Sequence, residues 1–282
     1  MSEEIPTIED VRIQNLISEF TAIYPDTDIP KPLEVEVFHS NVVPEEYQPI
    51  LHPSNEDLQE ELDGILDYAF PPPAPTTSHE LMLETISAAN NVSKSYLWRS
   101  LPPRSDIYCG PSLLDNYLKY CTEDLRMKFS EEQQSGIYRV WNRVTNWVIY
   151  AKYKYLRPRP VALSKNYGIP ITVNIKEDYW NNTPSYPSLR YALMLTAAKY
   201  FSHSHRSCYP KLIQKAVDME RYLIATGTNF SSDIAASKDM IQDNLFSAEE
   251  VDIKQRQADK LERQKRKQIE RAKKNSKKTA TK

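Results

Sequence analysis

Glycine is nearly missing from this sequence, with 5 in 282 residues against 20 prolines. So little glycine leaves few residues for the positive-φ turns of tight β-hairpins, and so many prolines interrupt extended ladders. The two together point to helices joined by stiff loops. Cysteine is also sparse. Cys109, Cys121 and Cys208 are odd in number, share no metal-ligand spacing, and read as free thiols of a reducing compartment. Neither a metal nor a cofactor is implied. No apolar run approaches the roughly 20 residues of a membrane span, and the acidic start (MSEEIPTIED) is the reverse of a secretory leader. A cytoplasmic or virion location is therefore expected, rather than secretion. Basic residues are all but absent from the first seventy positions, where only Arg12 and Lys31 oppose many Asp and Glu. The last thirty positions are dominated by Lys and Arg, so the net charge of -2 conceals a charge-separated chain.

Forty per cent of the residues are hydrophobic, enough to bury one large core. The expected divisions are an acidic N-terminal helix and extended arm over 1–53, a helical domain over 54–243, and a basic C-terminal helix or tail over 244–282. Thr7 is placed to cap a helix carrying Ile8, Val11, Leu16 and Phe20. A proline-rich loop runs from Tyr24 to Pro53, and its Leu33 to Phe38 alternation fits one short strand. Ser54 can cap a helix bearing Leu58, Leu62, Ile65 and Leu66 on one face. Pro71-Pro72-Pro73-Ala74-Pro75 then forces an extended break, Ser78 caps the next helix, and Leu101-Pro102-Pro103 breaks it again. Ser112 opens a helix with Leu114, Tyr117, Leu118, Cys121 and Leu125.

The clearest helix runs from Ile137 to Leu156. Ile137, Val140, Trp141, Val144, Val148 and Ala151 recur at three- and four-residue spacing until Pro158 stops it. Apolar helices follow over Ser188 to Phe201 and Lys211 to Ile224, and the helical pattern turns polar after Asp233.

Three short clusters carry the chemistry. Lys152-Tyr-Lys-Tyr-Leu-Arg-Pro-Arg159-Pro160 puts four cations in eight residues, with both arginines held beside prolines. Guanidinium forks match phosphate oxygens, and proline limits the entropy lost in holding them. A solvated helix end, where cations complement the helix dipole, accounts for the same residues. Thr183-Pro-Ser-Tyr-Pro-Ser188-Leu-Arg190 precedes an apolar helix, with Ser188 at its N-cap. A helix start presents free N–H groups to anions, although ordinary capping needs no ligand. Glu220-Arg221 and Gly227-Thr-Asn229-Phe-Ser-Ser-Asp233 form the third cluster, in which Gly227 reads as a C-cap and Asp233 as a cap of the next helix.

In order and spacing, these clusters resemble the phosphatidic acid phosphatase type 2 / vanadium haloperoxidase superfamily, in particular its class A bacterial acid phosphatases. That family carries a lysine, six residues and Arg-Pro, then Pro-Ser-Gly-His, then Ser-Arg and a short stretch before His, three residues and Asp. Lys152 to Arg159-Pro160 matches the first motif, Pro187-Ser188-Leu189-Arg190 resembles the second, and Gly227-x-Asn229-x-x-x-Asp233 resembles the third. Phe70 to Ser78 is similar to the proline-rich entry segment of the bacterial enzymes. The likeness covers roughly residues 65 to 240 and implies an all-α bundle. It also implies a phosphate or anion site drawn from Lys152, Arg157, Arg159, Ser188, Arg190 and Arg221.

The departures fall on the catalytic groups. Family histidines attack phosphorus and protonate the leaving group, while an aspartate orients the nucleophile. The attacking position here is Asn229, an amide; the acid position is Arg190, protonated at any physiological pH; the position of Asp233 is retained. None of His39, His52, His79, His203 and His205 falls in a catalytic position. The implied function is an inactive phosphatase-like scaffold, a structural or interaction protein such as a virion or assembly component, which keeps an anion site. The alternative is an active phosphomonoesterase or phosphotransferase with a relocated nucleophile, Ser188, Ser231 or Ser232. Expected partners are other protein chains in homo- or hetero-assembly and phosphate or a phosphoester. The basic stretch Lys254 to Lys282 adds nonspecific attraction to nucleic acid, or to an acidic surface.

Overall fold

The structure is a computed structural model that describes residues 8–26, 28–94, 113–169, 171, 183–202 and 204–244. The chain divides into two compact units, Met1–Asp239 and Met240–Lys282. The expectations for Thr7, the break at Leu101-Pro102-Pro103, Ser112, His203 and the basic tail fall outside the described residues.

The described residues are all-α. Helices run over Ile8–Ile23 (α1), Gln48–Leu51 (α2), Glu56–Ala69 (α3), His79–Lys94 (α4) and Leu113–Glu123 (α5). They continue over Glu131–Tyr155 (α6), Pro160–Asn166 (α7), Leu189–Ser202 (α8), Tyr209–Ala225 (α9) and Ser231–Asn244 (α10). No strand occurs among the described residues, so the alternation from Leu33 to Phe38 is not a strand. Its backbone is used otherwise: the Val37 N–H donates to Thr76 Oγ1 at 2.7 Å, and the Glu36 carboxylate accepts the Thr76 N–H at 2.7 Å. Leu33 and Val37 pack on the core cluster while Val35 between them is exposed, so the three do not share a face as they would in a strand.

Local signals set most helix starts. Asn55, rather than Ser54, caps α3 by accepting the Asp57 N–H at 2.9 Å. Ser78 Oγ accepts the Leu81 N–H at 3.1 Å at the start of α4. A capping box opens α6 six residues before Ile137, with Ser130 Oγ accepting the Gln133 N–H and Gln133 Oε1 accepting the Ser130 N–H.

One helix organises the rest. From Arg190 to Ala198 every residue of α8 is buried, so it is apolar on all sides and must be enclosed. It packs against both α6 and α9. Gly136 gives α6 room beside the Tyr200 ring, where any Cβ would meet the phenol oxygen. Fully buried Ile137, Val144, Phe201, Leu212 and Leu223 fill this centre, each contributing about 1.5–3 kcal/mol on burial. A second cluster joins α1 to α4 and α7 through Phe20, Leu81, Met82, Ile86 and Leu163. The proline-rich segment is tied to the site region by two phenols, since Tyr155 donates to Phe70 O at 2.7 Å and Tyr186 to Pro71 O at 2.6 Å.

Candidate anion site

The site forms where α6 ends and α7, α8 and α10 begin. Leu156 closes α6 in the left-handed conformation, at φ 49. Pro158 and Pro160 then restrict the segment between α6 and α7, and Pro160 starts α7 directly after Arg159. The loop before α8 crosses this segment, with the Ser185 N–H donating to Arg157 O at 2.8 Å. Gly227, at φ 62, follows the last turn of α9 and swings the chain through Thr228 and Asn229 into α10. The three sequence clusters therefore meet.

They meet as two differently built sets of buried cations. Arg157 belongs to a carboxylate network. Its guanidinium donates to Asp233 Oδ1 at 2.8 Å, Ser232 Oγ at 2.7 Å and Glu84 Oε2 at 2.6 Å, and it lies 4.4 Å from the Phe230 ring centroid. Asp233, fully buried, accepts from four donors: Arg157, Ser185 Oγ at 3.4 Å, Asn229 Nδ2 at 3.1 Å and the Phe230 N–H at 2.8 Å. The last bond is the reach-back half of a capping box, from the third helical residue to the position before Ser231. This network sets two carboxylates against one guanidinium and is extensively hydrogen-bonded, so the buried Arg157 charge is paired.

Lys152 and Arg159 are held by carbonyls instead. Lys152 Nζ donates to Pro184 O at 2.6 Å and Ser185 O at 3.0 Å. Arg159 donates through Nε to Thr183 O at 2.9 Å, through Nη1 to Thr228 O at 2.8 Å, and through Nη2 to Thr183 Oγ1 at 2.8 Å. Together with Arg190 they line a cavity of about 60 Å³ that also touches Tyr47, Ile149, Thr183, Leu189, Thr228 and Asn229. Among the described residues, none that lines the cavity is an Asp or Glu. Carbonyl dipoles orient the cations but carry no net charge to balance them.

The imbalance has electrostatic consequences. Burial pushes the Lys152 ammonium well below its ordinary value, and the Arg159 and Arg190 charges push in the same direction against the pull of Asp233. Burial also pushes the Arg159 guanidinium down to about 10, with Asp233 and Tyr153 opposing. Arg159 still carries its charge at neutral pH. An oxyanion in the cavity would relieve both effects by supplying the missing charge and accepting hydrogen bonds.

The expected site residues thus separate into groups. Lys152, Arg159, Arg190 and Asn229 line the cavity; Asp233 and Arg157 form the network beside it. Arg221 is exposed on α9 and is not a lining residue, which corrects its place in the expected anion set. Ser188 departs from the expected cap as well. Its N–H is used by Asp233 O at 3.1 Å, while its buried Oγ has no hydrogen-bond partner in the structure and makes no capping bond. Tyr47, Thr183, Thr228 and Glu84 were not anticipated. Thr183 and Thr228 lie inside the quoted clusters and contribute carbonyls, whereas Tyr47 and Glu84 arrive from distant segments with no local signal.

No protein-family model matches this chain, and no curated protein is found to be related to it. Among the described residues, no group of His, Cys, Asp and Glu is arranged to hold a metal ion, and no helix is long and apolar enough to cross a membrane.

Proposed function

We propose that this protein is a phosphatase-like scaffold that binds a phosphate-class anion without turning over esters, and acts as a structural or interaction protein. The observation that carries the reading is the cavity lined by Lys152, Arg159 and Arg190, with no carboxylate among its described lining residues. Support for a silent site comes from Asn229, at the attacking position of the family pattern. Its amide donates to Ser185 O at 2.8 Å and to Asp233, so it is a buried structural group with no nucleophilic electron pair to offer. Arg190, at the acid position, cannot give up a proton near neutral pH. The resemblance to the phosphatidic acid phosphatase type 2 superfamily, as a degenerate member, is supported by the convergence of the three motifs. A role in assembly, including in a virion, draws on the acidic arm and the basic tail.

One observation favours an active enzyme. Ser232 Oγ donates to Glu84 Oε2 at 2.8 Å, the pairing a relocated nucleophile would need. The same carboxylate oxygen is already bonded by Arg157 at 2.6 Å, and Ser232 does not line the cationic cavity. The test is hydrolysis of p-nitrophenyl phosphate from acid to alkaline pH, beside calorimetric titration of phosphate. Binding without hydrolysis is expected. Hydrolysis abolished by Ser232→Ala would establish the enzyme reading instead.

A further inference from the structure

The lining of the cationic cavity grades from inside to outside. Lys152, Arg159, Arg190, Thr228 and Asn229 are buried, whereas Tyr47, Thr183 and Leu189 are half-buried and so form the rim. Tyr47 is the rim residue that comes from the N-terminal arm. A short 3₁₀ turn, Glu45–Tyr47, runs into α2, and α2 packs on α6. The Tyr47 ring lies tilted against Tyr153, with centroids 6.4 Å apart. Desolvation raises the Tyr47 phenol above its ordinary value, so it stays neutral and presents no charge to repel an anion.

The cavity is small and open at its rim, so the groups at the rim decide what a bound anion can carry with it. Its volume of about 60 Å³ holds roughly four water-sized groups at about 15 Å³ each. A bare tetrahedral oxyanion is four oxygens around one small central atom. An alkyl or aryl ester adds a group that must lie at the rim, where Tyr47 stands, and forcing extra atoms against a packed ring is unfavourable. The cations are also held by rigid parts, since Lys152 is on α6, Arg159 stands between prolines and Arg190 is on the enclosed α8. The rim is the part able to give.

Building on the anion reading above, we propose that the cavity admits a bare tetrahedral oxyanion of the inorganic phosphate class, and that Tyr47 excludes phosphomonoesters. The N-terminal arm thereby sets the specificity of the site. Tyr47 acts by occupying space and forms no bond to the ligand. An anion held by Lys152, Arg159 and Arg190 behind Tyr47 also links the arm to the helical core.

Calorimetric titration of the full chain with inorganic phosphate and with phenyl phosphate tests this. In the unmodified protein phosphate should bind, and phenyl phosphate should bind more weakly by about tenfold or more. Tyr47→Ala should bring the two affinities together by admitting the ester, while Tyr47→Phe, which keeps the ring, should retain the preference. If Tyr47→Ala loses its helical circular-dichroism signal, Tyr47→Leu replaces it. Equal binding of both anions by the unmodified protein overturns the exclusion of esters and leaves the anion site standing. Continued exclusion of the ester after truncation at Tyr47 overturns the role of the arm. Failure of either anion to bind any of these proteins overturns the anion site itself, and this inference with it.

Discussion

Arg157 and Arg159 are two residues apart, each beside prolines and each buried, yet they are neutralised in different ways. Arg157 meets two carboxylates, Asp233 and Glu84. Arg159 meets the carbonyls of Thr183, Pro184 and Thr228 and one threonine hydroxyl. The first arrangement supplies its counter-charges from within the protein and pins the start of α10 to the loop after α6. The second faces a cavity with no carboxylate among its described lining residues, which on the proposed reading an anion completes. Burial and residue type do not distinguish a structural arginine from a ligand-binding one. The identity of the acceptors does.

The largest test of this contrast is removal of Asp233. Asp233→Ala leaves Arg157 with Glu84 alone, orphans the Phe230 N–H and takes an acceptor from Ser185 and Asn229, and should cost about 3–5 kcal/mol in chemical denaturation. Glu84→Ala should cost less, about 1–3 kcal/mol, because Arg157 keeps Asp233 and the Glu84 side chain is 16% exposed.

Lys152→Met should act in the opposite direction. Both carbonyls that Lys152 contacts keep another donor, Arg159 for Pro184 O and Asn229 for Ser185 O. The substitution therefore removes a buried charge without orphaning an acceptor, and should raise stability by on the order of 1 kcal/mol at neutral pH. The sign with pH follows from the depressed ammonium. The folded state loses its proton at lower pH than the unfolded chain, whose lysine titrates near 10.5. The Lys152 contribution is thus fully present above 10.5 and is lost as pH falls through the folded value. Denaturation curves of the two proteins should converge toward pH 10.5 and separate below it. Arg221→Ala, on the exposed face of α9, should change stability by no more than about 0.5 kcal/mol and leave phosphate binding unaltered. A clear loss of phosphate affinity there would mean that the cavity extends to α9.

Much of the architecture was legible in the sequence because periodicity and breakers report on local structure. The apolar spacing from Ile137 to Ala151 and the stop at Pro158 located α6. Its first two turns, from Glu131, carried no apolar stripe, and only the capping box of Ser130 and Gln133 marked them. The strand expected at Leu33 to Phe38 did not form: Val35 is exposed between packed Leu33 and Val37, and the Val37 N–H donates to a threonine hydroxyl instead of a ladder carbonyl. The cavity cations were visible because Lys152, Arg159 and Arg190 lie in compact motifs. Tyr47 and Glu84 were not, since each reaches the site from a segment distant in the chain, Glu84 across 73 residues to Arg157. Ser188 shows a further limit: a serine directly before a helix marks the helix start without its hydroxyl making the capping bond.

Thermal unfolding of the full chain in inorganic phosphate, against chloride at matched ionic strength, tests the unbalanced-cation account most directly. A ligand at a hundred times its dissociation constant stabilises the folded state by about 2.7 kcal/mol. The account predicts a saturable rise in melting temperature with phosphate, beyond that in chloride, which Lys152→Met abolishes or sharply reduces. Identical melting in the two salts, or an equal phosphate shift in Lys152→Met, would contradict it.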